Sequence, residues 1–163
     1  MRRYVYVGPE AIRAAAVGLP AGTPITSLGD LARWLANHAS DREGATTPAT
    51  YTVAIDGSLR IAHRRSEHVA CAAGEPVLAA GELFLAPDGV KEASNLSTGY
   101  CPEPACFEAL AHALDRAAIP RPATFTHAFD FRRCPGCGER NLIKDADFSC
   151  ALCDAALPAA WNL

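Results

Sequence analysis

The sequence predicts an α+β protein with a mainly antiparallel sheet, two or three helices and a C-terminal zinc ribbon. Three observations carry this. Short alternating apolar runs come in pairs joined by turns containing Gly or Pro, as antiparallel hairpins do. Other segments repeat apolar residues at helical spacing. Four cysteines near the C-terminus stand in two matched pairs. The predicted organisation is an α+β domain over 1–131 and a zinc ribbon with a C-terminal anchor over 132–163.

RYVYV (3–7) reads as a short strand and EAIRAAAVGL (10–19) as a brief helix ended by Gly18 and Pro20. Ser27 and Asp30 open a second helix over 28–39, with Leu28, Leu31, Trp34, Leu35 and His38 on one face. SDREGATTPAT (40–50) is polar and rich in turn formers, so it reads as a mobile loop. Tyr51, Val53 and Ile55 alternate, as do Leu59 and Ile61, around Asp56-Gly57. A loop over 56–58 pairs Ile55 with Leu59 and Val53 with Ile61, although Gly57 then stands mid-loop. A second hairpin is expected from 76–86, a Pro-Asp-Gly turn and 90–95. Phe107, Leu110, Ala111, Leu114 and Ala118 form the stripe of a further helix, with Pro104 near its start and Pro120 beyond its end. TFTHAFDFRR (124–133) reads as a strand.

Half of the 163 residues are hydrophobic and a fifth are charged, enough apolar material for a core. The formal charge of −3 gives no basic field for nucleic acid or an anionic membrane. No apolar run approaches the roughly 20 residues of a membrane helix. Gly8, Pro9 and Glu10 interrupt the start too early for a signal peptide. Seven cysteines in such a chain point to a reducing, cytoplasmic setting with metal-bound or free thiols.

Cys134, Cys137, Cys150 and Cys153 form C-x2-C-x12-C-x2-C. Ligands three positions apart share one tight turn, so two such knuckles close a tetrahedral four-thiolate site, and structural zinc is the expected cofactor. Four protein thiolates leave no open position for catalysis. Around them Arg132, Arg133, Arg140 and Lys144 balance Glu139, Asp145, Asp147 and Asp154. This balance disfavours nucleic acid and favours protein binding or simple capping of the sheet. Leu157 and Trp161 are placed to anchor the tail on the domain.

The segment from His68 to about residue 120 is similar to a module of plant IQ-motif-containing calmodulin-binding proteins and of related bacterial effector and toxin-like proteins. His68 and Gly74, then Ala79, Ala80, Gly81 and Glu82, then Ser97, Tyr100 and Pro102 carry the likeness. Val69 and Ala70 stand where the family has serines, and Thr98-Gly99 where it has Gly-His. No IQ helix is present, so calmodulin is not expected. The resemblance implies a shared α+β module that gathers His68, Glu82, Ser97 and Tyr100. Such groups either exchange protons in a cleft or form a buried network that fixes loops. Cys101 and Cys106 have no paired cysteines at ligand spacing; Cys106, in the first turn of a helix, is open to thiolate stabilisation or to burial as filler, and Cys71 reads as filler. Two functions follow: a non-catalytic zinc protein that binds a partner, or a small enzyme or ligand-binding protein using the four polar residues, its nucleotide-like substrate an analogy only. Whether the chain is an enzyme stays open at this point.

Overall fold

A computed structural model describes all of residues 1–163. Five antiparallel strands form one sheet: β1 (Thr23–Ile25), β2 (Thr47–Ala54), β3 (Leu59–His63), β4 (Val77–Ala86) and β5 (Gly89–Ala93), in spatial order β1-β3-β2-β4-β5. Helices α1 (Glu10–Ala16), α2 (Leu28–Asn37), the one-turn α3 (His68–Cys71) and α4 (Phe107–Arg116) surround it. A second, two-stranded sheet pairs β6 (Asp130–Arg133) with β7 (Arg140–Ile143). The α+β class and mainly antiparallel sheet are as expected.

Register sorts the sheet's two faces. Tyr51 stands between Ile61 and Gly81, and Val53 between Leu59 and Ala79, so these side chains share one face with Leu83. That face, Leu31 of α2 and Leu110 and Leu114 of α4 belong to one continuous apolar core. The opposite face carries Thr50, Thr52, Arg60, Ala80 and Glu82, and α3 lies over it. Its polar atoms are answered locally: the Thr50 hydroxyl bonds the Ser66 carbonyl at 3.2 Å, and Thr52 meets Cys71 Sγ at 3.5 Å.

The helices follow from their caps and stripes. Ser27 Oγ accepts from the Asp30 N–H at 3.1 Å, while the Asp30 carboxylate accepts from the Thr26 hydroxyl at 2.6 Å. This fixes the entry to α2 and turns Leu31 and Trp34 inward. The chain leaves α4 through Ala118 in the left-handed region, φ +53°, two residues before Pro120.

Four local expectations are corrected. Residues 3–7 form no strand: Tyr4 makes a single bridge to Val77, and Val7 bonds Gly99. The 40–50 segment is not one mobile loop, because β2 begins at Thr47 and buries Thr47–Thr50, the first two beside β4 and the next two between β3 and β4. The first hairpin pairs Val53 with Leu59 and Tyr51 with Ile61, around a loop of Ile55, Asp56 and Gly57. Gly57 then occupies the last loop position at φ +81°, the left-handed place only glycine takes cheaply, and Ile55 is turned toward solvent. Finally, 124–133 is a strand only from Asp130; before it, Thr126 and His127 follow the edge beyond β5 through the Ala93 carbonyl.

Candidate metal centre and polar cluster

β6 and β7 hold the first Cys-x-x-Cys turn between them, and the second turn folds back beneath. The four sulfurs of Cys134, Cys137, Cys150 and Cys153 all lie within 4.8 Å of one another. Cys134 is 3.6 Å from Cys153, and Cys137 is 3.6 Å from Cys150. A tetrahedron with metal–sulfur bonds of about 2.3 Å has sulfurs about 3.8 Å apart, so the cluster has the size of a four-thiolate metal site. Backbone N–H groups already point at the sulfurs: Gly136 donates to Cys134 at 3.3 Å and Leu152 to Cys150 at 3.5 Å. Such bonds favour thiolate. The Cys134 thiol is lowered, chiefly by the Cys137 N–H. Burial acts to raise Cys150, but the Leu152 and Cys153 N–H groups and the Asn141 amide bring it down to about 6.

Asn141 was not singled out by sequence and is central here. Its side chain donates to Cys150 Sγ at 3.5 Å and accepts from the Ala151 N–H at 2.9 Å, so it splints the second knuckle from β7. Its signal was available: an asparagine on the inward side of a short strand facing the cysteines. The ribbon's arginines are consumed within the protein. Arg132 bonds the Pro158 and Ala159 carbonyls, Arg133 the Gly138 carbonyl, and Arg140 the Thr98 carbonyl.

The tail anchors on the domain through Trp161 as expected, but Leu157 turns into the ribbon instead. Leu157 packs beside Cys134 and Cys150. Trp161 meets the Tyr4 ring edge-on at 5.7 Å, lies under the Arg2 guanidinium and donates to the Cys101 carbonyl at 2.8 Å.

The side chains of the four polar candidates do not bond to one another. His68 Nε2–H donates to the Gly81 carbonyl at 2.9 Å. The Tyr100 hydroxyl donates to the Glu75 carbonyl at 2.7 Å. Buried Ser97 accepts from the Tyr100 N–H at 3.4 Å and closes a turn. Glu82 is half-buried on the α3 face, with Thr50 opposite it in register, and its carboxylate has no partner. Burial lowers the His68 imidazole, with the Gly81 bond only partly opposing this, and burial raises Tyr100 strongly. Three of the four therefore fix backbone, and the expectation of one shared hydrogen-bonded neighbourhood is not met.

A fifth residue does the joining. Asn95, fully buried, donates to the Pro102 carbonyl at 2.8 Å and the Phe129 carbonyl at 2.7 Å, and accepts from the Phe129 N–H at 2.7 Å. It pins the 94–106 loop to the lead-in of β6. The thiols nearby are quiet: burial pushes Cys101 up to about 11 and Cys106 up to about 12, so helix position does not activate Cys106.

Fold and cluster together give an α+β protein with a four-cysteine hairpin whose sulfurs could hold a metal ion. No known protein family, curated protein or solved structure matches the chain. No helix is long and apolar enough to cross a membrane.

Proposed function

We propose that the protein is a cytoplasmic, non-catalytic interaction module whose ribbon holds one structural zinc ion. The observation that carries the reading is the commitment of the polar candidates. His68, Ser97 and Tyr100 spend their hydrogen bonds on the main chain, as splints do, and the four thiolates close their site. Zinc suits four thiolates at this spacing. The arginines bound to carbonyls leave the ribbon little to offer phosphates, which favours a protein partner over nucleic acid. The likeness to the plant IQ-motif-containing calmodulin-binding proteins supports a shared module and carries no calmodulin binding with it.

Metal analysis of purified protein tests the first half: one equivalent of zinc is expected, and Cys137→Ser should unfold the ribbon, since ligation supplies its folding free energy. Absence of any bound metal overturns it. Affinity capture with the zinc-loaded chain, with the contact mapped by crosslinking, tests the second half. A small-molecule turnover abolished by Glu82→Gln in a folded protein would establish the enzymatic reading instead. That reading draws on one specific feature: His68 Nδ1 and the Glu82 carboxylate are both unpartnered beside α3.

A further inference from the structure

The four ribbon cysteines differ in their access to solvent. Cys134 and Cys150 are buried, whereas Cys137 and Cys153 are exposed. Each 3.6 Å contact joins one of each kind, Cys134 to Cys153 and Cys137 to Cys150. Both contacts also run from one knuckle to the other, between residues 19 and 13 positions apart, rather than within a Cys-x-x-Cys turn. Each exposed cysteine therefore has a sheltered cysteine of the other knuckle beside it.

The other three cysteines lack this arrangement. Cys71, Cys101 and Cys106 are all buried. Cys71 Sγ faces the Thr52 hydroxyl and the Arg60 carbonyl, and Cys101 Sγ faces the Thr98 carbonyl. Burial also raises all three thiols. Solvent access and a neighbouring thiol are what reversible thiol oxidation needs, and the ribbon combines them.

We infer that the ribbon is a site of reversible oxidation, at which hydrogen peroxide joins Cys134 to Cys153 and Cys137 to Cys150 as two cross-knuckle disulfides and so releases the metal ion. The inference rests on the zinc reading proposed above and names how that site is regulated. An exposed thiolate, Cys153 or Cys137, attacks one peroxide oxygen. The O–O bond breaks, hydroxide leaves and is protonated to water, and the sulfur is oxidised by two electrons to a sulfenic acid. The buried thiolate 3.6 Å away then attacks that sulfur, its S–O bond breaks, and hydroxide again leaves as water. Four thiolates, two peroxides and four protons thus give two disulfides and four waters, and a disulfide sulfur is no longer an anionic ligand. Closing 3.6 Å to the ~2.05 Å of an S–S bond takes a shift of about 1.5 Å shared between two side chains. Links 19 and 13 positions apart also close longer loops than a link within one turn, so they restrict the unfolded ribbon more. The linked ribbon therefore stays closed after its ion has gone. In a reducing compartment such a disulfide is transient and serves as a sensor.

The test treats the zinc-loaded full chain with hydrogen peroxide and follows released zinc with a chromogenic chelator. The disulfides are then mapped by tryptic digestion without reductant, after acid quenching and alkylation. Trypsin leaves Cys134 and Cys137 in one peptide, 134–140, and Cys150 and Cys153 in another, 145–163. The two peptides should emerge joined, and fragmentation should assign Cys134 to Cys153 and Cys137 to Cys150. One equivalent of zinc should leave for about two of peroxide consumed, and dithiothreitol with added zinc should restore metal binding. Cys71, Cys101 and Cys106 should stay reduced. Hydrogen exchange over 130–157 should remain below that of the reduced chain stripped of metal by a chelator. Two separate peptides, each closed within its own turn, overturn the proposal. So do the opposite cross-pairing, irreversible sulfinic or sulfonic acid, thiols that stay reduced with zinc still bound, and exchange as high as in the stripped chain. The zinc reading is judged separately, by the metal content before peroxide is added. Zinc present with the wrong pairing leaves that reading standing, and absence of metal removes both.

Discussion

Gly81 and His68 meet at one carbonyl, and they show how single residues set this architecture. A Cβ on Gly81 would lie 2.0 Å from the Ser94 carbonyl oxygen, because the chain leaving β5 crosses directly above it. Tyr51, paired with Gly81 across the sheet, fills the space beside it and donates to the same Ser94 oxygen at 3.1 Å. The atoms a methyl group would strike are backbone, so they do not step aside. Gly81→Ala should destabilise the fold by about 3 kcal/mol or more, measured by denaturant unfolding. A loss below about 1 kcal/mol would show that the crossing is loose. His68 predicts a pH dependence. Burial holds its folded value below the ordinary 6.5, so the unfolded chain takes up the proton first as pH falls. Its contribution is therefore complete above about pH 6.5 and is lost as the pH drops from there toward the lower folded value. His68→Gln should flatten the fall in Tm between neutral and mildly acid pH. An unchanged slope would assign that fall to other groups.

At the scale of elements, the 94–106 loop is the informative one. It is polar and proline-rich, which excludes a regular strand or helix, and it still buries Asn95, Ser97, Tyr100, Cys101 and Cys106. Side chains replace the missing backbone ladder: Asn95 ties it to Phe129 and Pro102, and Tyr100 ties it to Glu75. With thiols raised to about 11 and 12 by burial, Cys101 and Cys106 should resist alkylation at pH 8 in the native protein and react fully after denaturation. Rapid native labelling of either would mean that the loop opens on its own. The ribbon hairpin is the contrasting element. Its core is two cysteines and Leu157, too little apolar surface to fold alone, so a metal held by the four sulfurs would be its main source of stability.

The whole molecule couples these two elements. Arg140 of β7 bonds the Thr98 carbonyl, and Trp161 bonds the Cys101 carbonyl, so both contacts end on the same loop. Chelation of the metal should therefore raise hydrogen exchange across 130–157 and, with it, at 97–103. The central strands β2 and β4, paired on both sides, should stay protected. If exchange at 97–103 stays unchanged after chelation, the ribbon is an independent appendage.

The sequence alone determined whatever rests on local chemistry. The paired cysteines announced a four-cysteine cluster because ligand spacing is a property of a single turn. Ser27, Leu31 and Trp34 specified α2, and the 107–116 stripe specified α4, because caps and periodicity are read within a few residues. Alternation gave the α+β class and the hairpins, and parity kept the apolar faces correct even where the first register was two residues off. Only the tertiary structure decided which partners the polar groups find. His68 and Tyr100 could serve a cleft or a carbonyl equally well on paper; Gly81 of β4 and Glu75 in the turn before it claimed them because folding brings those carbonyls within reach. Asn95 and the partners of the arginines were invisible for the same reason. A hydrogen bond satisfied or left open depends on what stands opposite in space, and that is set by packing across the whole chain rather than by any stretch of it.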